Sequence, residues 1–370
     1  MFGRRGRREQ PTAPLQSPTS GTEASGPLLY AHVPLTRVTG RFSTSHIPFT
    51  MIEHDRTTPI VLVLGADENF AMPLAVTLYT MLYHLSPDRD IDLHVMDAGI
   101  TEASRTRLEE LVRRTHDRAV LHWVYPDLAK VEGINVELKS RYNRSLFYRF
   151  LIPDGLADVD RALYIDSDVV VEANIEDLWA QSLDGFPLAA VRERTVSCPV
   201  AGVGEWEALG LDPDEAYFNS GVLLMDLEQW RREGIHTDAI EYLSDPMHYL
   251  INPSDQEALN AVLCGRWKQL DPRWNGLYYF PKEVLEEVSL SHFAGSHPWL
   301  AASAHPAEAE FFRYLRASGW YTLTALLAFL VKLQLRRAVY TLKRMTRPVR
   351  QALGIKTIDR RAFRNGKECA

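Results

Sequence analysis

The sequence contains little cysteine, and this limits both its disulfides and its structural metal sites. Among 370 residues there are three cysteines, Cys198, Cys264 and Cys369, which lie far apart and form no C-x-x-C pair. Neither a disulfide framework nor a structural zinc site fits that spacing. We therefore expect a reducing, cytosolic compartment.

Long hydrophobic runs and internal repeats are also lacking. The longest apolar stretch, residues 323–333, is shorter than the roughly 20 residues that a membrane-spanning helix requires. Near the N-terminus, a basic start is followed by residues 10–26, which are rich in Pro, Ser and Thr where a signal peptide needs an apolar run. The sequence thus predicts neither a spanning helix nor a signal peptide.

Charge is distributed unevenly along the chain. The formal net charge is −7, yet residues 311–370 hold 14 Lys and Arg against two acidic residues, and residues 1–50 hold six Arg against two Glu. The rest of the chain is strongly acidic, which argues against nucleic acid as its ligand. The basic C-terminal segment is suited instead to an anionic surface.

Strand and helix patterns alternate through the middle of the chain. Residues 1–57 have low hydrophobicity and no periodicity, and are predicted to form a disordered arm. Apolar strand patterns then alternate with amphipathic helical ones, at residues 59–65, 72–84, 91–96, 101–115 and 119–124. This order predicts βαβ units, hence an α/β domain with a mostly parallel central sheet over residues 58–305. Residues 306–370 are predicted to be a basic amphipathic helical tail.

Two carboxylates close a later strand pattern. Asp166 and Asp168 follow the apolar run that ends at Ile165. Ligands of open α/β sheets bind at the carboxyl ends of strands, and two carboxylates at this spacing can bind Mg²⁺ or Mn²⁺ that bridges a diphosphate. A solvated acidic turn is one alternative. Another is the D-x-D-x-[TV] motif of haloacid-dehalogenase phosphatases, although no convincing second acidic pair follows it.

Further motifs surround this pair in a fixed order. They are Gly65-Ala-Asp-Glu-Asn-Phe70, then residues 145–153, 217–226, 255–260 and 292–299. In this order the motifs resemble glycosyltransferase family 8, the retaining enzymes that include bacterial lipopolysaccharide glucosyl- and galactosyltransferases and glycogenin. The resemblance covers about residues 58–300. It implies a GT-A-type fold and transfer of a hexosyl unit, glucose or galactose, from a UDP-sugar to an acceptor hydroxyl.

The resemblance also implies site residues. Manganese, or alternatively magnesium, is expected to bind Asp166, Asp168 and His292. The residues expected to bind the donor are Ala66, Asp67, Asn69, Tyr148, Arg149, Ser167, Asn219, Gly295 and His297. Asp255 and Gln256 are expected to face the transferred sugar without forming a covalent intermediate, while Arg149 stabilises the leaving UDP.

Simpler interpretations of these motifs stay open. Asn219-Ser-Gly fits a turn before a buried strand, Asp255 with Gln256 fits an ordinary helix N-cap, and His292 fits a satisfied core histidine. The aromatic segment 274–279 fits the core and an acceptor groove equally well.

One motif departs from the family pattern. The last motif of the family usually ends in Lys-Pro-Trp, but only two residues separate Gly295 from Pro298, and no lysine precedes the proline. Either His297 takes over the diphosphate contact, or another cation, Arg149 or Lys282, serves the leaving group. The remaining alternative is a catalytically silent sugar-nucleotide binder, against which the intact metal ligands argue.

The tail predicts a membrane-surface partner. Cations follow its apolar residues, which recur at helical spacing and are Leu323, Leu326, Leu327, Leu330, Val331 and Leu333. Such a helix lies in the plane of a membrane; the alternative is a helix packed on the body with solvated arginines. The expected partners are a UDP-sugar, a glycan or glycolipid acceptor of a bacterial surface glycan or lipopolysaccharide, and an anionic membrane, but no nucleic acid. This places the enzyme in the cytoplasm, peripherally bound to the inner face of the membrane.

Overall fold

A computed structural model describes residues 58–134, 144–196, 198–245, 250–251, 254–278, 287–301, 303 and 305–352. Side chains are described except at residues 144–145 and 347–352. The predicted arm, residues 1–57, lies outside the described residues. So do Lys282, proposed above as an alternative cation, and residues 353–370 of the predicted tail.

The strands confirm the predicted α/β fold with a mostly parallel sheet. They are β1 (Ile60–Ala66), β2 (Ile91–Asp97), β3 (Ala119–Val124), β4 (Arg161–Ile165), β5 (Val169–Val171), β6 (Leu188–Arg192), β7 (Phe218–Asp226), β8 (Lys268–Gln269), β9 (Gly276–Leu277) and β10 (Leu290–His292). Seven form the central sheet in the order β3-β2-β1-β4-β7-β6-β8, and β5-β10-β9 form a small second sheet. Among the described strands of the central sheet, only β7 runs antiparallel to its two neighbours, β4 and β6.

Helices cover the sheet and extend beyond it. The described α-helices are α1 (Ala71–His84), α2 (Glu102–Thr115), α3 (Ile152–Gly155), α4 (Glu176–Trp179), α5 (Pro199–Gly202), α6 (Leu227–Glu233), α7 (Ile235–Ser244), α8 (Asp255–Val262), α9 (Glu308–Ala317) and α10 (Leu323–Ala352). Short 3₁₀ helices occupy Glu68–Phe70, Leu128–Val131, Arg144–Leu151 and Pro272–Trp274. The predicted start of α2 is confirmed, because the Thr101 hydroxyl accepts a hydrogen bond from the Ser104 amide at the N-cap.

The apolar run of β1 is buried on both faces of the sheet. Leu62 and Leu64 pack into the cluster that contains α1, whereas Val63 packs into a second cluster on the opposite face. A strand covered on both sides has no face to expose polar residues, which explains why its sequence does not alternate. Helix α1 is itself apolar around most of its circumference, since it also contacts α2 and α9.

The beginning of the predicted tail packs on the body. In α9, Phe311 and Leu315 are buried in the same cluster as β1 and α1. Helix α10 buries Leu326 and Leu333, so these two leucines, assigned from sequence to a membrane-facing side, face the protein instead. Among the described helices, none combines the length and apolarity needed to span a bilayer.

Candidate functional site

The predicted site residues surround one end of the central sheet. Strand β1 has β2 on one side and β4 on the other, so the order of connections reverses between β1 and β4, where open α/β sheets bind ligands. Asp67 follows β1, and Asp166 follows β4. Because β7 is antiparallel to β4 and β6, the first residues of β7 lie at the edge of the sheet where β4 and β6 end.

Three elements hold the loop that carries the two aspartates. The hydroxyl of Ser167 donates to the carbonyl oxygen of Gly65 in β1 over 2.7 Å. The hydroxyl of Thr77 in α1 lies within 2.9 Å of the carbonyl oxygens of Ser167 and Val169. The amide of Asp166 donates to a carbonyl of β7, at Gly221, over 2.8 Å. The loop is therefore fixed by backbone and hydroxyl contacts that do not involve either carboxylate.

Strand pairing places His292 against these carboxylates. In the antiparallel pair of β5 and β10, His292 is opposite Val169, one residue beyond Asp168. Its Nε2 atom lies 3.4 Å from Asp168 Oδ1 and 3.6 Å from Asp166 Oδ2. One ligand atom from each of the three residues lies within 4.8 Å of the others. His292 is buried, as the core-histidine alternative required, yet it also faces both predicted metal ligands.

A hydrogen-bond chain assigns the tautomer of His292. Asn219 Oδ1 accepts from the backbone amide of Gly221 (2.9 Å), so the side chain of Asn275 must present its NH₂ group to that oxygen (2.8 Å). The side-chain oxygen of Asn275, Oδ1, then lies 2.9 Å from His292 Nδ1, which must donate. Nε2, which faces Asp166 and Asp168, is thus the nitrogen left to bind a metal ion, as in metal-binding histidines whose Nδ1–H donates to a side-chain oxygen.

The donor set fits a divalent cation. Carboxylate oxygens with one imidazole nitrogen suit Mn²⁺ and also accommodate Mg²⁺. Burial alone raises the pKa of Asp168, but His292 and His297 outweigh burial and hold this pKa well below its usual value. Burial alone lowers the pKa of His292, but Asp168 outweighs it and raises that pKa. Asp168 and His292 therefore interact strongly with each other, and the low pKa keeps Asp168 in the carboxylate form that a cation binds.

Arg149 joins the candidate metal cluster, Asp166, Asp168 and His292, to the first turn of α8. Its side chain is buried, and it donates from Nη2 to Asp166 Oδ1 over 3.0 Å. Nη1 lies 2.8 Å from Asp255 Oδ2 and also donates to the carbonyl oxygen of Ser220. The guanidinium carbon lies 4.7 Å from the centroid of the Tyr164 ring. In this structure the guanidinium binds two protein carboxylates, while its predicted contact with the donor stays a prediction.

Helix α8 docks on the first residues of β7. Its N-cap is Ser254, whose side chain accepts from the Glu257 amide, so the interpretation of Asp255 as the N-cap is wrong. Asp255 Oδ2 accepts from the Ser220 hydroxyl (2.7 Å), and Gln256 Oε1 accepts from the Ser220 amide (3.1 Å). Both predicted sugar-facing residues are thus held against the strand rather than left in a solvated turn.

Asn219 lies within β7, so the interpretation of Asn219-Ser-Gly as a turn is also wrong. Its Nδ2 atom donates to Glu193 Oε2 over 2.9 Å. Gln256 Nε2 lies 3.5 Å from the same oxygen. Glu193 directly follows β6, is buried, and accepts from the Thr195 amide with its other oxygen. A buried carboxylate therefore orients the side-chain amides of two predicted site residues, Asn219 and Gln256.

Gly221 allows β7 to pass close to the candidate metal cluster. A Cβ atom at this position would lie 2.2 Å from His292 Cε1 and 2.9 Å from Asp166 Oδ2. No side chain fits into that space, so the absence of one at residue 221 permits His292 and Asp166 to approach each other.

The remaining predicted donor residues occupy two loops and the core. Asp67 caps the turn after β1 by accepting from the Phe70 amide, and Asn69 donates to its second oxygen over 2.9 Å. Ala66 and Tyr148 are buried. On the second loop, Gly295 is exposed and has a φ of 71°, a conformation that favours glycine.

His297 lies on the same loop, beside the candidate metal cluster. Its ring packs edge-on to Phe70 and stacks on Trp299, with centroids 5.7 and 4.8 Å apart. Its Nδ1 atom lies 3.3 Å from Asp168 Oδ2. His297 therefore faces a predicted metal ligand, and its contact with a diphosphate stays a prediction.

Comparison with known proteins identifies this arrangement. The family model described as "Glycosyl transferase family 8" matches residues 61–303. The chain belongs to this family. It is 29% identical to general stress protein A of Bacillus subtilis, over 71% of this chain and 95% of that protein. It is 24% identical to the lipopolysaccharide 1,3-galactosyltransferase of Salmonella typhimurium, over 74% and 83%.

Solved structures agree with the assignment to family 8. The galactosyltransferase LgtC, determined in complex with donor and acceptor sugar analogs, is 26% identical, with a TM-score of 0.58 over 72% of this chain and 98% of that one. The family 8 chain is thus a glycosyltransferase of the GT-A type. Its membership excludes the alternative of a haloacid-dehalogenase phosphatase.

Three residues that shape this candidate site, Glu193, Asn275 and Gly221, were not predicted from the sequence. Glu193 follows a strand of the sheet, but a single carboxylate after a short apolar run gives little signal. Asn275 lies in the segment 274–279, whose aromatic residues indicated the core or an acceptor groove and not an amide that orients a histidine. Gly221 was recognised only as part of a motif, because its importance comes from the ring of His292, which is 71 residues away in the chain.

Proposed function

We propose that this family 8 enzyme transfers a hexosyl unit, glucose or galactose, from a UDP-sugar to an acceptor hydroxyl with retention of anomeric configuration. The observation that carries the proposal is the convergence of Asp166, Asp168 and His292 at the switch point of the sheet. A divalent cation bound there, Mn²⁺ or Mg²⁺, supplies positive charge beside the diphosphate of the leaving UDP.

The chain's own residues hold this site in one geometry. Arg149 keeps the carboxylates of Asp166 and Asp255 oriented through the two nitrogens of its planar fork. Glu193 does the same for the amides of Asn219 and Gln256. Because none of these groups is an isolated nucleophile, we assign Asp255 and Gln256 to binding the transferred sugar rather than to covalent catalysis.

The turn after β1 and the loop at residues 293–299 supply the donor's remaining contacts in this proposal. The backbone at Ala66 and the polar side chains of Asp67 and Asn69 are suited to the edge of a uracil. Gly295 leaves its backbone open to a phosphate, since a Cβ there would meet nothing within 4 Å. His297 is adjacent to the same cluster and serves as the partial replacement for the absent lysine.

The proposed acceptor is a glycan or glycolipid that becomes part of a bacterial surface glycan or lipopolysaccharide. The support is the similarity to the Salmonella lipopolysaccharide 1,3-galactosyltransferase and to the lipopolysaccharide glucosyltransferase WaaO of Escherichia coli, which is 25% identical over 72% of this chain and 80% of that protein. In this proposal the enzyme works in the cytoplasm, at the inner face of the membrane.

The direct test is UDP release from a panel of UDP-sugars with Mn²⁺ present. We expect UDP-glucose or UDP-galactose to be hydrolysed slowly without an acceptor, and chelation to stop the reaction until Mn²⁺ is restored. Asp168→Asn should lower the rate at least a hundredfold, equivalent to about 2.7 kcal/mol of transition-state stabilisation.

The matched control is Asp160→Asn. Asp160 immediately precedes β4, at the opposite end of the strand from Asp166, and its exposed carboxylate pairs with Arg231. This variant should keep the wild-type rate. Turnover that persists in excess chelator would contradict the metal assignment. Tight binding of a UDP-sugar with no release of UDP would instead identify the silent sugar-nucleotide binder.

A further inference from the structure

Helix α10 exposes a band of large apolar side chains. Seven of them are at least half exposed, and together they form what we call the outer stripe: Leu323, Leu327, Val331, Leu335, Val339, Leu342 and Met345. Successive members are three or four residues apart, so they lie along one side of the helix. A contiguous exposed apolar surface of this kind usually marks a site that binds a partner or a membrane.

The outer stripe is not the side by which α10 binds the body. A different side buries Leu326 and Leu333 in the protein. Further along that side, Arg337 pairs with Glu308 of α9 over 2.6 Å and donates to the carbonyl oxygen of Pro298 over 2.7 Å. The helix is therefore anchored along one side while the stripe stays uncovered by the described residues.

Charge restricts what can cover the stripe. Residues 323–352 contain seven Lys and Arg and no acidic residue. The side chains of Lys332, Arg336 and Lys343 are exposed and follow one another at helical spacing along one border of the stripe. A second copy of the chain would bring an equally basic helix against this one, and like charges at close range repel. An anionic surface with an apolar interior satisfies both features together.

We infer that the outer stripe and its basic border are a docking surface for an anionic phospholipid membrane. The helix lies parallel to the bilayer, with the stripe among the acyl chains and the cations at the phosphate groups. The apolar face predicted from the sequence included Leu326 and Leu333, which the body covers; the inferred membrane contact excludes these two and lies on the outer stripe.

This placement also brings the active site near the membrane. Arg337 of α10 is bonded to Pro298, the neighbour of His297, whose ring faces Asp168. The loop that borders the proposed donor site is therefore fixed to the membrane-binding helix. This part of the inference rests on the proposed function, because only a glycosyltransferase with a lipid-linked acceptor gains from the proximity.

The test is sedimentation of the full chain with vesicles, without donor or acceptor, so that its outcome is independent of catalysis. Vesicles of phosphatidylcholine alone are compared with vesicles that also contain phosphatidylglycerol. We expect the wild type to bind the anionic vesicles at least tenfold more tightly, and to be released by high salt. The variant Leu327→Gln, Val331→Gln, Leu335→Gln should lose at least tenfold in binding while releasing UDP from a soluble donor at the wild-type rate.

The matched control replaces three exposed apolar residues elsewhere, with Val120→Gln, Leu209→Gln and Ile251→Gln. It should bind vesicles like the wild type, and thermal unfolding checks that both triple variants are folded. Equal binding of the stripe variant and the wild type, or no binding of the wild type to anionic vesicles, would overturn the inference. So would a wild-type dimer in solution that the stripe variant abolishes, because the stripe would then be an interface between two copies.

Discussion

Replacing Gly221 with alanine tests the geometry of the metal cluster through a single methyl group. The new Cβ atom would lie 2.2 Å from His292 Cε1, 2.8 Å from Nδ1 of the same ring, and 2.9 Å from Asp166 Oδ2. Gly221 lies in the middle of the site's hydrogen bonds, since its amide donates to Asn219 and its carbonyl accepts from Asp166. The strand therefore has little freedom to withdraw, and the side chains must move instead.

The size of the displacement follows from the distances. Ordinary contact begins near 3.4 Å, so the imidazole ring must retreat by about 1.2 Å. Metal–ligand distances tolerate only about 0.2 Å, and a retreating ring also breaks its bond to Asn275. We expect the affinity for Mn²⁺ to fall at least tenfold, or about 1.4 kcal/mol. Overpacking should also cost about 1–3 kcal/mol of folding stability.

The assay is calorimetric titration with Mn²⁺, together with thermal unfolding and UDP release. Gly202→Ala is the matched control, because its Cβ would lie 2.4 Å from the Tyr217 ring, a similar overlap that involves no predicted metal ligand. It should lower stability comparably and leave the affinity for Mn²⁺ unchanged. In a double-mutant cycle, Gly221→Ala should destabilise the His292→Ala protein less than the wild type, because the imidazole atoms that the new methyl group would overlap are absent.

The reasoning fails if Gly221→Ala binds Mn²⁺ with wild-type affinity. It also fails if Gly202→Ala weakens metal binding as much as Gly221→Ala, because general overpacking would then explain the effect. Equal destabilisation by Gly221→Ala with and without the imidazole would show that His292 is not the group that the methyl displaces.

Three further predictions follow from the side chains around the site and on the sheet. Asn275→Ala should lower the affinity for Mn²⁺, measured by calorimetric titration, about tenfold to a hundredfold, because nothing then holds the tautomer and orientation of His292. Asn275→Asp keeps the oxygen that accepts from His292 and should restore part of this affinity. Arg149→Lys should lower the rate of UDP release at least tenfold, about 1.4 kcal/mol, because an ammonium group cannot bind two carboxylates through a planar fork. Burial, and next the ring of His122 stacked 4.7 Å away, lower the pKa of His94 to about 4. As the pH falls from about 6.5 to 4, His94 binds a proton in the unfolded chain but not in the folded protein. The free energy of unfolding, measured with denaturant, should therefore fall in that window, and it should fall less steeply in His94→Gln.

Each of these predictions has a result that would contradict it. Unchanged Mn²⁺ affinity in Asn275→Ala would mean that His292 is held by packing alone. A wild-type rate in Arg149→Lys would show that charge, without the fork, is sufficient. If the stability of His94→Gln and the wild type follow the same curve between pH 7 and pH 4, His94 is protonated equally in the folded and unfolded states.

The sequence by itself determined the class of fold and the position of the chemistry along the chain. Hydrophobic periodicity is a local property, so the alternation of strands and helices up to residue 124 could be predicted closely. The carboxylates of Asp166 and Asp168 could be placed at an edge of the sheet because parallel strands end at one edge. The order of motifs from residue 65 to residue 299 then indicated family 8, and the family match over residues 61–303 confirms it.

Only the tertiary structure decided which groups meet, because those contacts depend on distant strand pairing. The antiparallel pairing of β5 with β10 brings His292 to Asp168, and the neighbouring strands bring Glu193 to Asn219. The same holds for the two apolar sides of α10. Both are spaced like a core-facing helix in the sequence, and only the burial of Leu326 and Leu333 and the anchor of Arg337 on α9 show which side the body covers. Periodicity specifies that a helix has an apolar side, whereas the position of its neighbours determines what that side touches.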